Sequence, residues 1–177
     1  LALQRLRELP HVSPSQEGIF LGSMGFAEHL NGRHVESEHY FARALEQFAR
    51  AGREIGAEAI SVRSNWAAAS DGAGDPKRAL EVYEETFALL EKSDAGRAPL
   101  PYLIANRAHA LEGIGRFEEA ARDYSQCVAG SKPEGTPIFL TYCLIGLSMV
   151  THYIGDLEAA QAYVDEADAV LQASGEP

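Results

Sequence analysis

Positive charge is scarce in this sequence, which limits the partners that it can have. Lys and Arg number 15 against 26 Asp and Glu, the formal net charge is −11, and no Lys/Arg run exceeds two residues. Nucleic acids and anionic membrane surfaces attract proteins through basic patches, so we expect neither as a partner. Acidity mainly favours solubility, and a neutral or basic protein partner fits it better.

Cysteines, a targeting segment and long apolar runs are also scarce. The two cysteines, Cys127 and Cys143, form no Cys-x-x-Cys pair. This predicts no disulfide framework and favours a reducing cytoplasm. The first seven residues do not have the pattern of a signal peptide. The longest apolar stretch, 138–150, is shorter than a membrane span and contains polar residues, so it predicts a helix buried on most sides.

Motifs that carry chemistry are missing as well. Gly72 and Gly74 precede a predicted helix, but no strand comes before them and Lys77 stands where a dinucleotide loop has its third glycine. His34 and Glu38 have the spacing of two metal ligands on a helix, yet two ligands are too few for a site. We therefore predict no catalytic residue, no metal, no cofactor and no enzymatic activity. Catalytic groups can still meet from distant positions in a sequence.

What the sequence does contain is one pattern repeated four times. A glycine is followed by a small residue, a large apolar residue and a second small residue, at steps of five, four and three. A left-handed glycine can end one helix and let the next begin, and the other three positions form one stripe of that second helix. The glycines are Gly32, Gly74, Gly115 and Gly155, and the large residues are Phe41, Tyr83, Tyr124 and Val164.

Start signals and small residues divide the chain into eight predicted helices. Ser13-Pro14-Ser15-Gln16 is a capping box with proline in the first turn, and Asp75-Pro76 and Thr136-Pro137 repeat this start signal. Seven residues before each repeat glycine lies another small residue, which predicts a close contact on the first helix of each pair. The predicted helices are 14–30, 34–52, 56–71, 76–92, 100–113, 117–130, 137–153 and 156–174.

These residues resemble the tetratricopeptide-repeat (TPR) family over about residues 14–174. The usual unit has 34 residues, whereas these glycines are 42, 41 and 40 residues apart, as in long-repeat members found in bacterial regulators and kinesin light chains. The resemblance implies an all-α fold, a right-handed α-α superhelix or solenoid of about four hairpins. Two residues depart from the family pattern, Ser37 at a usual alanine and Arg107 at a usually apolar position.

We expect one repeat domain over 1–177, with repeats at about 14–52, 56–92, 100–130 and 137–174. We also expect it to be a fragment of a larger protein. Repeat arrays need polar end caps, but the last helix carries apolar residues beyond its inward stripe. This predicts self-association through uncapped ends. These apolar residues are Leu157, Tyr163, Val170 and Leu171.

The resemblance also implies a function, because in this family the first helices line a concave binding face. It implies a cytoplasmic protein- or peptide-binding scaffold. The alternative is a ligand- or peptide-sensing regulatory segment of a multidomain bacterial regulator, either a transcription factor or a kinase. Carried over by position, the binding residues are Phe26, Asn65, Tyr102, Asn106, His109, Glu112 and Tyr142.

Asn65 and Asn106 share one phase, nine residues before their repeat glycines. Long-repeat members use Asn there to hold a peptide backbone, and Asn in mid-helix is not a propensity choice. Alternatively, both cap or bridge neighbouring helices. The aromatic side chains of Phe26, Tyr102 and Tyr142 are either anchors for a partner or packing between helices.

Overall fold

The computed structural model describes residues 12–92, 100–131 and 137–175, and this part of the chain is helical without a strand. The all-α prediction is confirmed, and each helix agrees with its predicted bounds to within two residues. The helices are α1 (Pro14–Leu30), α2 (His34–Arg50), α3 (Ala57–Gly72), α4 (Pro76–Glu91), α5 (Pro101–Gly113), α6 (Phe117–Ser131), α7 (Pro137–Ile154) and α8 (Leu157–Ser174).

Consecutive helices pack in pairs, as the repeated pattern predicts. Helices α1–α4 form one compact unit, unit 1, and α5–α8 form a second, unit 2. Within unit 1, α1 packs on α2 and α3 on α4, and the first helices α1 and α3 also contact each other. Unit 2 has the same arrangement, with pairs α5–α6 and α7–α8 and a contact between the first helices α5 and α7.

The repeat glycines make the turn inside each hairpin. All four have left-handed backbone conformation, with φ from 72° at Gly32 to 97° at Gly155. The residue after each glycine donates its N–H to the carbonyl five residues earlier, at 2.9 Å from Arg33 to Glu28 and 3.1 Å from Asp156 to Thr151. This is the hydrogen bond that closes a glycine-terminated helix, so the glycine fixes where the first helix ends.

The predicted helix starts are present where the structure describes them. Gln16 N–H donates to Ser13 Oγ at 3.3 Å, and Ser13 N–H donates back to the Gln16 side chain at 2.9 Å, completing the capping box. Asp75 accepts from the Arg78 N–H at 3.0 Å at the start of α4. The signal at Thr136 lies outside the described residues.

Small residues bring the two helices of a hairpin together. A Cβ at Gly25 would lie 2.8 Å from the Phe41 ring, so only glycine allows that approach. Ser37, which departs from the family pattern, donates its hydroxyl to the Gly25 carbonyl at 2.8 Å. Repeat four makes the same bond with the roles exchanged, from Ser148 to the Ala160 carbonyl at 2.8 Å. Serine therefore keeps the contact close and satisfies its own buried hydroxyl.

Arg107, the second departure, is explained by a charged partner. Its guanidinium makes two hydrogen bonds of 2.7 Å to the carboxylate of Asp123 on α6. The Asp123 side chain is buried, and Arg107 is about a quarter exposed. The bidentate pair joins α5 to α6 at positions where the pattern expects apolar contact.

The expectation of no disulfide is wrong. Cys127 on α6 and Cys143 on α7 are joined by a disulfide bond, and both residues are fully buried. The two helices pack side by side, which brings the Cα atoms to 6.0 Å although the cysteines lie 16 residues apart in sequence. Spacing alone gives no sign of this because the pairing depends on helix packing.

The apolar stretch 138–150 lies in α7, the one described helix whose length and composition would allow a membrane crossing, a test that the core helix of a soluble protein also passes. The expectation that this helix is buried on most sides is wrong. It packs against α5, α6 and α8, but Ile138, Tyr142, Ile145 and Met149 are exposed.

Candidate functional site

The first helices of unit 1 expose one face each. On α1, Ile19, Ser23 and Phe26 are exposed at the four-and-three spacing of a helical stripe. Gly22 lies beside them but is buried, and a Cβ there would lie 2.5 Å from the Val62 side chain on α3. The glycine therefore lets α1 and α3 approach closely, so that their exposed faces are neighbours.

On α3, the exposed stripe is polar and includes the predicted site residue Asn65. Ser61, Asn65 and Ala68 are exposed at the same spacing as the α1 residues. Among the residues that the structure describes, the Asn65 carboxamide makes no hydrogen bond. A helix interior gains nothing from an asparagine with no local partner. Capping or bridging a neighbouring helix, the alternative role of this residue, has no hydrogen bond to support it at this position.

On α5 of unit 2, the predicted residues are less exposed. His109 is exposed, whereas Tyr102, Asn106 and Glu112 are half-buried. Burial raises the pKa of the Tyr102 hydroxyl above its ordinary value. Asn106 also has interactions of its own within the protein. The two asparagines thus share a repeat position but have different surroundings.

Two predicted residues of unit 2 meet at the hydroxyl of Tyr124. Tyr124 Oη donates to Glu112 Oε2 at 3.4 Å, and Tyr142 on α7 also lies at hydrogen-bonding range of this hydroxyl. Burial raises the pKa of Tyr124 far above its usual value, and Tyr142 and Glu112 raise it further. The buried tyrosine of the repeat pattern therefore connects the exposed faces of α5 and α7.

The exposed stripe of α7 contains residues beyond the predicted Tyr142. Ile138, Ile145 and Met149 continue it at helical spacing, and all three are exposed. Past Met149, a groove of about 400 Å³ opens between α7 and α8. We call it the end groove, and its principal lining residues are Met149, His152, Tyr153, Leu157, Gln161 and Val164. Its sequence signals are valine in the fourth copy, where the other copies have an aromatic residue, and Leu157, which the sequence predicts to lie outside the inward stripe of the last helix.

His34 and Glu38 have the spacing of two metal ligands, but the Glu38 carboxylate has other partners. Glu38 Oε1 accepts a hydrogen bond from the Trp66 indole N–H at 3.2 Å and lies 3.9 Å from Arg78 Nε. The Arg78 guanidinium in turn lies over the Trp66 ring, 4.9 Å from its centre. Within the described ranges, no group of three or more His, Cys, Asp or Glu is placed to hold a metal ion.

Comparison with solved structures identifies the architecture. BtubC (BKLC) from P. vanneervenii superposes with a TM-score of 0.85 at 20% identity, over 99% of this chain and 71% of that one. The TPR-like repeats of a candidate kinesin light chain from Podosopora anserina give 0.78 at 17% identity, over 94% of this chain and 80% of that one. The chain has a TPR-like helical-repeat fold.

A third solved structure is longer than this TPR-like chain. The apo form of RapI superposes with a TM-score of 0.83 at 17% identity over 99% of this chain, which spans 47% of RapI. By sequence, no protein-family profile and no curated protein matches the chain. At these identities, the likeness establishes the fold.

Proposed function

We propose that this TPR-like chain is a scaffold that binds a protein or peptide through the exposed faces of its first helices. One observation carries the proposal, which is where the exposed large apolar side chains lie. Most belong to first helices, and the second helices contribute few. Those on first helices are Ile19, Phe26 and Leu30 on α1, and Ile138, Tyr142, Ile145, Met149, Tyr153 and Ile154 on α7.

Exposed apolar side chains in contiguous stripes are typical of surfaces that bind other proteins. Aromatic and Met side chains are enriched in such interfaces, and Phe26, Tyr142 and Met149 supply them here. The polar faces of α3 and α5 offer hydrogen-bonding groups instead. Unit 1 thus offers apolar anchors on α1 beside Asn65 on α3, and unit 2 offers apolar anchors on α7 with Asn106 on α5.

The two asparagines are proposed to hold the partner's backbone. A carboxamide has both a donor and an acceptor, which matches one peptide unit whatever its side chain. The Asn65 side chain is exposed, so its donor and its acceptor can both reach a partner. Asn106 is half-buried and is therefore less accessible to a partner's backbone. Tyr102, His109 and Glu112 would then contribute to side-chain choice.

Asparagine substitution tests the proposal. The chain is immobilised, its partner is captured and identified, and the purified partner is titrated by calorimetry. Each lost hydrogen bond costs about 1 kcal/mol or more when buried, so Asn65→Ala with Asn106→Ala should weaken binding by about tenfold or more. The control pair, Gln126→Ala and Gln172→Ala, removes exposed carboxamides from second helices and should leave affinity unchanged.

Two outcomes would contradict the asparagine clamp. Equal affinity of the double variant and wild type would remove the asparagines from the binding surface. A large fall in the melting temperature of the double variant would show that the two asparagines stabilise the fold instead. If Phe26→Ala and Tyr142→Ala also leave affinity unchanged, the first-helix faces are not the binding surface at all.

A regulatory role is the second candidate, and the likeness to RapI favours it. That structure is of an apo form, and this chain spans 47% of it. In this role, ligand binding would alter the helical repeats and control an attached effector domain. A DNA-binding or kinase domain encoded in the same full-length gene would support it. A cytoplasmic location remains a prediction.

A further inference from the structure

The end groove of unit 2 has the build of a helix-packing surface, and none of the residues that the structure describes covers it. Val164 occupies the large apolar position of repeat four and is 39% exposed, whereas Phe41, Tyr83 and Tyr124 at the same position are 0–3% exposed. Tyr124 is covered by the next first helix, whose Gly146 lies so close that a Cβ would be 2.4 Å from the ring. Val164 has the corresponding place on α8, and the described residues put no helix over it.

The walls and floor of the end groove are already ordered without a partner. The Tyr153 ring stacks on Phe117 with 4.8 Å between ring centres. The Ser148 hydroxyl on the floor donates to the Ala160 carbonyl at 2.8 Å, so it needs no ligand. Leu157, the most exposed apolar residue of the lining, is 62% exposed. An apolar groove of about 400 Å³ with ordered walls suits a few large side chains from one face of a helix.

Charge at the rim identifies the chemistry of the occupant. Helix α8 carries Glu158, Asp165 and Asp168 on the side that also bears Gln161, by helical spacing. Gln161 lines the groove and donates its Nε2 to Asp165 Oδ1 at 2.9 Å, which places that carboxylate at the rim. Neither α7 nor α8 contains a Lys or Arg. A second copy of this chain would bring the same carboxylates and meet them with like charge.

We propose that the end groove binds a cationic amphipathic helix of another protein. Apolar residues at helical spacing on that helix would fill the space between Met149 and Val164, and flanking Lys or Arg would pair with Asp165 and Asp168. This surface extends beyond the first-helix faces proposed above, because it shares Met149 and Tyr153 with the α7 face but is completed by Leu157 and Val164 of the second helix α8. It gives the chain a second docking surface with its own charge preference.

Two synthetic helical peptides test this inference. Both are about 18 residues long, since shorter helices are marginal in water, and carry Leu at helical spacing. One has Lys and Arg at the flanking positions and the other has Glu. Fluorescence anisotropy with the full chain should detect the cationic peptide, with affinity that falls as salt rises. The acidic peptide should bind at least about tenfold more weakly, because like charges at the rim oppose it.

Variants of the chain locate the binding. The double variant Leu157→Ser with Val164→Ser should weaken binding of the cationic peptide at least about tenfold, because the complex would lose the apolar surface that these two side chains bury against the peptide. Asp165→Asn with Asp168→Asn should weaken it by about threefold to tenfold. The matched controls change exposed residues of unit 1, namely Val35→Ser for the apolar pair and Glu46→Gln with Glu84→Gln for the acidic pair. The controls should bind as wild type does.

Three outcomes would overturn the proposal. Equal binding of both peptides would show that charge does not select the occupant. Loss of binding in the Glu46 and Glu84 control would show general attraction to an acidic protein. Sedimentation could instead detect a dimer of the wild-type chain that is absent in the Leu157→Ser and Val164→Ser double variant. The occupant of the groove would then be a second copy of the chain. The Asn65→Ala and Asn106→Ala variant should bind the cationic peptide normally, which separates this result from that of the proposed scaffold function.

Discussion

Unit 1 and unit 2 have the same hairpin pattern but join their helices by different chemistry. Eight residues before and after the repeat glycine, repeat two has Trp66 and Val82, whereas repeat three has Arg107 and Asp123. Trp66 packs against the apolar core of unit 1. Arg107 and Asp123 form a bidentate ion pair instead, and unit 2 adds the Cys127–Cys143 disulfide.

The comparison shows that the repeat fixes where two helices must touch, and not which chemistry makes the contact. An apolar contact remains partly favourable when one side chain is shortened. A buried ion pair depends on both members, because the remaining charge is left without its partner's hydrogen bonds. Unit 2 should therefore be more sensitive to single polar changes, and unit 1 to loss of aromatic volume.

The largest expected effect is that of Phe41→Ala. Phe41 is fully buried against Gly25, so its removal leaves a cavity and should cost about 3–5 kcal/mol of unfolding free energy. Val164→Ala, at the same repeat position in unit 2, should cost less than about 1 kcal/mol because the side chain is 39% exposed. Denaturant unfolding followed by helical circular dichroism measures both. Similar costs for the two variants would mean that Val164 is covered in solution.

The next effect concerns the ion pair of unit 2. Asp123→Ala removes both hydrogen bonds to Arg107 and should cost about 2–3 kcal/mol, less than for a fully buried pair because Arg107 is partly exposed. Glu58→Ala in unit 1 is the matched control. Glu58 pairs with Arg53 at 2.9 Å, and both side chains are partly exposed, so its loss should stay within about 1 kcal/mol.

A double change sharpens this comparison. Arg107→Met with Asp123→Leu gives unit 2 apolar side chains at the repeat positions that Trp66 and Val82 occupy in unit 1, and should recover most of the stability lost in Asp123→Ala. Denaturation midpoints of the three proteins provide the measurement. If the double variant is no more stable than the single one, the ion pair has a role that apolar contact does not replace.

The sequence predicts the eight helices well because their signals are local. Turn glycines, the Ser13 capping box and proline in the first turn act within a few residues of the helix end that they determine. The small and large positions also repeat, so four copies support one another. The fold class is therefore readable from a single chain.

Features that depend on packing between helices are not readable in this way. The repeat places Arg107 and Asp123 at facing positions but does not indicate that they form an ion pair, and the pairing of Cys127 with Cys143 depends on the contact of α6 with α7. The exposed face of α7 was also missed, because a continuous apolar run does not reveal which residues are covered. Of the predicted binding residues, Asn65 lies exposed, whereas Asn106 is half-buried although it shares the same repeat position.

The smallest expected effect concerns the large apolar position of the first repeat in each unit, which is Phe41 in unit 1 and Tyr124 in unit 2. Phe41 has no group to ionise, while burial, with Tyr142 and Glu112, holds the pKa of Tyr124 far above its ordinary value. In the unfolded chain this hydroxyl ionises near pH 10. The folded state then keeps a proton that the unfolded state has lost. The Tyr124 contribution to stability is therefore fully present below about pH 10 and is lost as pH rises above it.

Tyr124→Phe isolates this contribution. At pH 7 the variant should lose less than about 1 kcal/mol, because the hydrogen bond to Glu112 is long at 3.4 Å. Above pH 10 its stability should fall less steeply than that of wild type, and the two unfolding curves should converge. Glu112→Gln should keep most of the wild-type steepness, since burial is the larger cause of the raised pKa. Parallel pH dependence of wild type and Tyr124→Phe would mean that the Tyr124 hydroxyl reaches water in the folded protein. In that case, Tyr124 would not be the buried connection between α5 and α7 that distinguishes repeat three from repeat one.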